Sequence, residues 1–284
     1  MSFTFSRRCF FLQLLLLSAC AVKSRQSQGD RLTIGVISYE QGEQTRDRFT
    51  RFGRYLAEKT GARVEIEPAF NENLALRRIA DGAWSLVFAP PGLAAIAMAK
   101  HQYSALFPLL GTSNLQSIFV VRQDSPIQDL KALQQKTVAL GYLGSATGYY
   151  LPLYNLYGLT LAEIQFAPTP KTVLEWVAQE KVTAGALSNE EFNLYSPNLN
   201  TTQFRILFAD VHKVPPGVVL ISPSVEHNRQ DVIRKIMNAA TPILTQELGY
   251  VPNGKLPDYQ YMISVVERVT SIAHEVHNKP ARLF

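Results

Sequence analysis

The sequence predicts an α/β protein of two lobes, each a mostly parallel sheet flanked by helices, joined by a double hinge. Three observations predict it. Short apolar strand runs alternate with amphipathic helical stretches between residues 32 and 100, the order that builds parallel strands with crossover helices. The alternation then breaks and restarts between residues 117 and 187. Finally, apolar runs at residues 117–122 and 205–209 flank that restart, where the chain would pass between lobes. The alternative on pattern alone is one open sheet with both halves side by side.

Taken in order, residues 32–38 (LTIGVIS) read as a buried strand. Thr45 suits an N-cap, followed by a helix whose apolar face is Phe49, Phe52 and Leu56 and whose left-handed stop is Gly61. Residues 63–69 alternate as a strand, 74–79 are helical up to Gly82, 85–89 form a third strand and 93–100 a third helix. In the second unit the strand candidates are 117–122, 137–141, 165–167 and 184–187, with a helix over 171–179. Residues 205–209 lead back to a strand at 218–221 and a helix from Ser224 that Pro242 is expected to kink. A last amphipathic helix covers residues 259–277. The first lobe would hold residues 31–116 and 214–284, and the second lobe residues 117–213.

The N-terminus reads as an export signal. Arg7 and Arg8 precede an apolar stretch, residues 9–17, that is too short to cross a bilayer, which takes about 20 residues. Leu17-Ser18-Ala19-Cys20 resembles a bacterial lipobox, with Cys20 as the thiol that receives lipid. Residues 1–19 would then be removed, and residues 20–30 would tether the lipid to the fold. Only Cys9 and Cys20 are present, so the exported protein would have one cysteine and no internal disulfide. The formal charge of +5 falls to +3 once the two arginines of residues 1–19 are gone. No basic block exceeds a pair, which argues against nucleic acid as a partner.

The stretch that carries chemistry is residues 138–156, VALGYLGSATGYYLPLYNL. A buried strand ends in a turn with Gly144, Ser145, Thr147 and Gly148, and a helix follows. Free amides and the positive dipole end at a helix start favour an anion, hydroxyls add donors, and glycines let the backbone approach. In open α/β sheets ligands sit at the carboxyl ends of strands, where this turn lies. The same glycines would equally build a tight turn with no ligand. Pro152 requires the helix either to start late or to bend.

Ser145-Ala146-Thr147-Gly148 resembles the Ser-Thr-Ser-Gly turn of the phosphate/phosphonate-type (PhnD-like) substrate-binding proteins of ABC transporters. Residues 32–38, 55–70, 122–141, 176–187 and 212–220 are similar to that family in the same order. The resemblance implies a type 2 periplasmic-binding-protein fold that closes on a small oxyanion and delivers it to a membrane permease. It further implies ligand contacts from Ser145, Ala146, Thr147, Gly148, Tyr39, Phe70, Pro91, Tyr149 and Glu190. Several contact positions depart from the family. Ala146 lacks a hydroxyl, Phe70 stands where Tyr is frequent, and Pro90-Pro91 replaces a turn that often carries Tyr or Gly-Pro. Thr183 stands for Asp, and Pro170 for a histidine found in some aminophosphonate binders. Val218 replaces an acid that meets the ligand amine in those binders. An aminoalkylphosphonate is therefore not the expected ligand. Tyr39, Phe70, Tyr149 and Tyr150 suit either an apolar pocket lining or core.

No H-E-x-x-H, G-x-S-x-G, C-x-x-C or phosphate-loop pattern is present, so no enzyme activity, metal or cofactor is expected. His274 and His277 have the spacing of a helical metal pair without a third ligand. The expectation is an exported, lipid-anchored, monomeric solute-binding protein. A sensory or scaffold lipoprotein using the same fold is the alternative.

Overall fold

The computed structural model describes residues 31–37, 43–111, 114–199 and 203–284. Cys20, the export signal, the tether and Tyr39 lie outside them. Among the described residues no helix is long and apolar enough to cross a membrane.

Two five-stranded sheets form the frame. The first has the order β2-β1-β3-β11-β4, from β1 (Arg31–Ile37), β2 (Arg63–Ala69), β3 (Leu86–Ala89), β4 (Ser104–Pro108) and β11 (Val218–Ile221). The second has the order β10-β5-β9-β6-β8, from β5 (Ser117–Arg122), β6 (Thr137–Leu140), β8 (Glu163–Phe166), β9 (Ala184–Ser188) and β10 (Phe204–Ala209). The sheets are mixed rather than mostly parallel. In the first, β1 pairs in parallel with β2 and β3, while β11 runs antiparallel between β3 and β4. In the second, β6 pairs in parallel with β8 and β9, while β5 is antiparallel to β9 and β10. The antiparallel pairs come from β5 and β11, which enter their sheets directly from the crossings and not through a covering helix.

Helices cover both faces. Helix α1 (Glu43–Thr60) starts ahead of the expected cap, so Thr45 sits within it. Its Phe49, Phe52 and Leu56 pack on Leu32, Ile34, Val36 and Phe88 with α7 (His227–Asn238) and α8 (Pro242–Leu248). Pro242 does not kink one long helix. It stands at the first position of α8, where its missing N–H costs nothing, and Thr241 caps that start by accepting from Leu244. The opposite face carries α2 (Glu72–Ala80), α3 (Pro91–His101) and α9 (Gln260–Ile272).

The alternation of each strand sends alternate residues to opposite faces. From the first sheet, Val87, Ala89, Val218 and Leu220 enter a cluster that also contains Phe119, Val121, Val138, Leu140, Ala184 and Ala186 of the second. One apolar core thus runs through both lobes, with α3 and α9 in it. The two crossings bond each other: Leu109 N–H donates to Gly217 O, Val214 N–H to Leu115 O and Asp210 N–H to Ser117 O. Gln116 Nε2 also donates to Asp210 O at 2.9 Å, and the Asp210 carboxylate, 2% exposed, accepts from His212 N–H at 2.9 Å and from Asn155 Nδ2 at 2.7 Å.

A third passage appears at the C-terminus. The first lobe was expected to extend to Phe284, but β12 (Ala281–Arg282) pairs antiparallel with β7 (Thr160–Leu161), next to β8 in the chain. Leu283 N–H donates to Leu159 O, Gly158 N–H donates to Leu283 O, and Lys279 meets Glu163 at 2.7 Å. A terminal segment is usually dispensable; this one buries Ala281 and Leu283 completely. Leu283→Ala is therefore expected to cost about 2–5 kcal/mol, as for other fully buried leucines. Urea unfolding midpoints of the two proteins check it.

Candidate functional site

The predicted contact residues stand at carboxyl ends of strands in both sheets. Phe70 follows β2 directly, Pro91 opens α3 after β3, the 145–148 turn follows β6, and Glu190 lies in the first turn of α6 (Asn189–Tyr195) after β9.

The turn after β6 is a tight, internally bonded unit. Ser145 caps it by accepting from Gly148 N–H at 2.9 Å. The next five residues, Ala146–Tyr150, form a π-helical turn, and Ser145 O accepts from both Tyr149 and Tyr150 N–H. Helix α4 (Leu151–Asn155) then begins, with Pro152 at its second position. Of the two alternatives for Pro152, the late start is the one found. The wide turn sets the start of the α-helix late, so the proline falls where no N–H is needed. Two further bonds anchor the turn to the second sheet: Gly141 N–H donates to Gly148 O at 2.8 Å and Ser117 Oγ donates to Thr147 O at 2.7 Å.

The first lobe closes over this turn. A Cβ built on Gly92, in the first turn of α3, would lie 2.1 Å from Gly144 O and 2.7 Å from Ala146 N. Gly144 has φ +110, and a Cβ there would lie 2.5 Å from Glu72 Cγ. Two positions without side chains let the lobes meet backbone to backbone. Ala146, Thr147 and Gly148 are buried as a result, while Ser145 is half-buried. What lies against the turn from the other lobe is the starts of α2 and α3, at Glu72 and Gly92, so it sits where the two lobes meet.

The remaining predicted residues divide. Phe70, two residues before Glu72, is 53% exposed, and Leu143, next to Gly144, is 37% exposed. Pro91 is half-buried. Glu190 is exposed at the start of α6, whereas its neighbour Glu191 closes a capping box with Ser188. Asn189 ties this helix start to the first crossing, accepting from Gln116 N–H and donating to Asn114 O, both at 3.0 Å. Tyr149 is 4% exposed, its ring 5.9 Å from Phe166 and 5.0 Å from Tyr150, so it belongs to the shared core. Burial pushes its phenol up to about 12, which keeps it protonated as a hydrogen-bond donor. Val218 is fully buried in β11 between Ala89 and Pro108, a core residue. His274 and His277 lie beyond the end of α9, and the His277 ring stands 5.0 Å from Phe166.

Sequence reasoning missed Glu72 and Gly92. Glu72 follows the N-cap Asn71, whose side chain accepts from Leu74 N–H at 2.9 Å. An acid after a cap is an ordinary helix-start signal, so nothing local announced that this one is 5% exposed.

The family profile described as "ABC transporter, phosphonate, periplasmic substrate-binding protein" matches residues 34–247. No curated protein matches the chain. Among solved structures, XAC2383 of Xanthomonas citri bound to chloride superposes with a TM-score of 0.70 at 22% identity, over 85% of this chain and 99% of that one. PhnD1 of Prochlorococcus marinus in complex with methylphosphonate gives 0.61 at 17% identity, over 86% and 100%. A binding-protein component of a phosphonate ABC transporter from Pseudomonas aeruginosa gives 0.59 at 13%, over 87% and 88%. At these identities the superpositions speak to the fold, two mixed sheets flanked by helices in the type 2 periplasmic-binding-protein arrangement.

A methyl group on Gly92 has nowhere to go but into the facing carbonyl. Gly92→Ala is expected to lower stability by about 1–3 kcal/mol, the range for overpacking a closed contact, in urea denaturation.

Proposed function

The chain belongs to the family of periplasmic phosphonate substrate-binding proteins of ABC transporters, and we propose that it captures a small oxyanion at the turn between β6 and α4 and presents it to a membrane permease. One observation carries this reading: a glycine-containing turn and helix start at the carboxyl end of β6 meet the helix starts that follow β2 and β3 of the other sheet. Amides at such a start, with the dipole behind them, favour negative charge. The hydroxyls of Ser145 and Thr147 and the backbone of Ala146 and Gly148 are the donors on this reading. Pro91 and Phe70 would bound the ligand from the first lobe, Tyr39 and Glu190 would stand at its edge, and Tyr149 would support the turn from beneath. Ala146 and Phe70 offer no polar side-chain group to a ligand, which favours a compact ligand such as methylphosphonate or phosphate over an aminoalkylphosphonate.

Ligand that touches both lobes favours the closed arrangement, and that arrangement is what a permease would sense. Nothing in this reading calls for catalysis or a cofactor. We propose further that Cys20 carries the lipid that holds the protein at the membrane surface outside the cytoplasm, and that the protein acts as a monomer. The burial of the turn beneath Gly92 and Glu72 favours a second reading, in which the closed protein serves as a sensory or scaffold partner of a membrane protein.

Thermal unfolding with methylphosphonate, phosphate and sulfate distinguishes these readings. Ligand at 100 times its Kd stabilises by about 2.7 kcal/mol, which for a chain of this size raises Tm by roughly 5–10 °C. A rise with one of the three anions is expected, and no rise with any of them removes oxyanion capture. For the anchor, Cys20→Ala is expected to abolish incorporation of labelled fatty acid and to move the protein from the membrane to the soluble fraction.

A further inference from the structure

The turn after β6 and helix α4 form one continuous helical unit, residues 146–155, and both of its ends are fastened to the chain crossings. At the front, Ser117 Oγ donates to Thr147 O at 2.7 Å. At the back, Asn155 Nδ2 donates to the Asp210 carboxylate at 2.7 Å. Ser117 opens β5, where the first crossing enters the second sheet, and Asp210 follows β10, where the second crossing leaves it. These two residues are bonded to each other, Asp210 N–H donating to Ser117 O at 2.9 Å. Both are buried. Apolar side chains could fasten a helix to its surroundings equally well, whereas a hydroxyl and a carboxylate hold it in one direction.

The bond at Thr147 reaches further, because a peptide unit is planar and trans. Holding Thr147 O fixes the direction of the N–H on the other side of the same unit, that of Gly148, which donates to Ser145 Oγ at 2.9 Å. A hydroxyl has one proton to give and two lone pairs to receive. With one lone pair engaged by Gly148, the Ser145 proton is left to donate and its direction is confined. Ser117 thereby aims a hydroxyl that faces solute without touching solute itself. Its carbonyl answers to Asp210, which also accepts from His212 N–H at 2.9 Å, and the His212 ring stacks on Tyr261 of α9 with 3.8 Å between centroids. We propose that Ser117 and Asp210 are positioning residues that couple the solute turn to the crossings. The path of the crossings sets how Ser145 is presented, and solute held by Ser145 stiffens the crossings in return, since coupling between two sites is reciprocal. The effect on solute rests on the oxyanion reading of the turn.

The test compares the full exported chain with S117A and N155A, each of which removes one of the two fastenings. Hydrogen exchange is read by mass spectrometry over residues 141–157 and, as a reference, over residues 49–66 of the first lobe, and thermal unfolding verifies that each variant is folded. Calorimetric titration with methylphosphonate, phosphate and sulfate is made on the same proteins and on S145A and S117A/S145A. Both single variants are expected to speed exchange over residues 141–157 by about tenfold, the effect of one lost buried hydrogen bond, with residues 49–66 unchanged. S117A is expected to weaken anion binding by about tenfold, and to weaken it no further once Ser145 is alanine. If the unaltered protein binds an anion, and S117A binds it as tightly, weakens S145A just as much, or speeds exchange alike in both regions, the positioning role is overturned and oxyanion capture stands. If no protein binds any of the three anions while residues 141–157 alone exchange faster, the link between turn and crossings stands and oxyanion capture falls. With neither binding nor a selective rise, both fall. If S117A does not fold, exchange and binding of N155A are read by the same criteria.

Discussion

The structure depends on a contact that only two glycines permit. Gly92 at the start of α3 lies against the carbonyl of Gly144 at the end of the β6 turn, and any larger residue at Gly92 would hold the lobes apart. That approach decides which groups share the crevice. It sets the turn after Gly144 against the helix starts of the first lobe and brings Glu72 against Gly144, while Phe70 and Leu143 stay exposed. The shared core follows from the same closeness, because Val87 and Ala89 of one sheet and Val138 and Leu140 of the other can join a single cluster only if the lobes touch.

Much of the frame was legible in the sequence, and the reasons are local. β1 to α3 carry strong period-2 and period-3.6 patterns bounded by Gly61 and Gly82, both at positive φ in the structure. The restart at residue 117 announced the second sheet because β5 is an unbroken apolar run. Less legible were elements whose residues lack such a pattern. β4, Ser104–Pro108, is an edge strand that opens on a serine and closes on a proline, so it reads as a loop. β12 is two residues long and gains its identity from pairing with β7, a contact between positions about 120 residues apart that no local window holds. The mixed character of each sheet was hidden for a related reason, since strand direction is set by the path of the crossings and not by the strand's own residues.

At the candidate site the divide is sharper. The turn could be found because glycine and hydroxyl residues between a strand and a helix leave a mark on sequence. Its tyrosines could not be assigned, because an aromatic side chain lining a pocket and one filling a core look alike until the packing is known; Tyr149 proves to rest on Phe166 within the core. Glu72 was invisible for the opposite reason. Its local context is a complete explanation for an exposed acid, and only the approach of Gly144 from a distant part of the chain makes it a buried one.

The C-terminal segment changes how the two bodies can move. Two neighbouring stretches, bonded to each other from Leu109 to Gly217 and from Leu115 to Val214, connect the bodies. A third passage of the chain is held by the pairing of β12 with β7. Any opening of the lobes has to carry that passage along, and Leu283, fully buried, resists leaving its site.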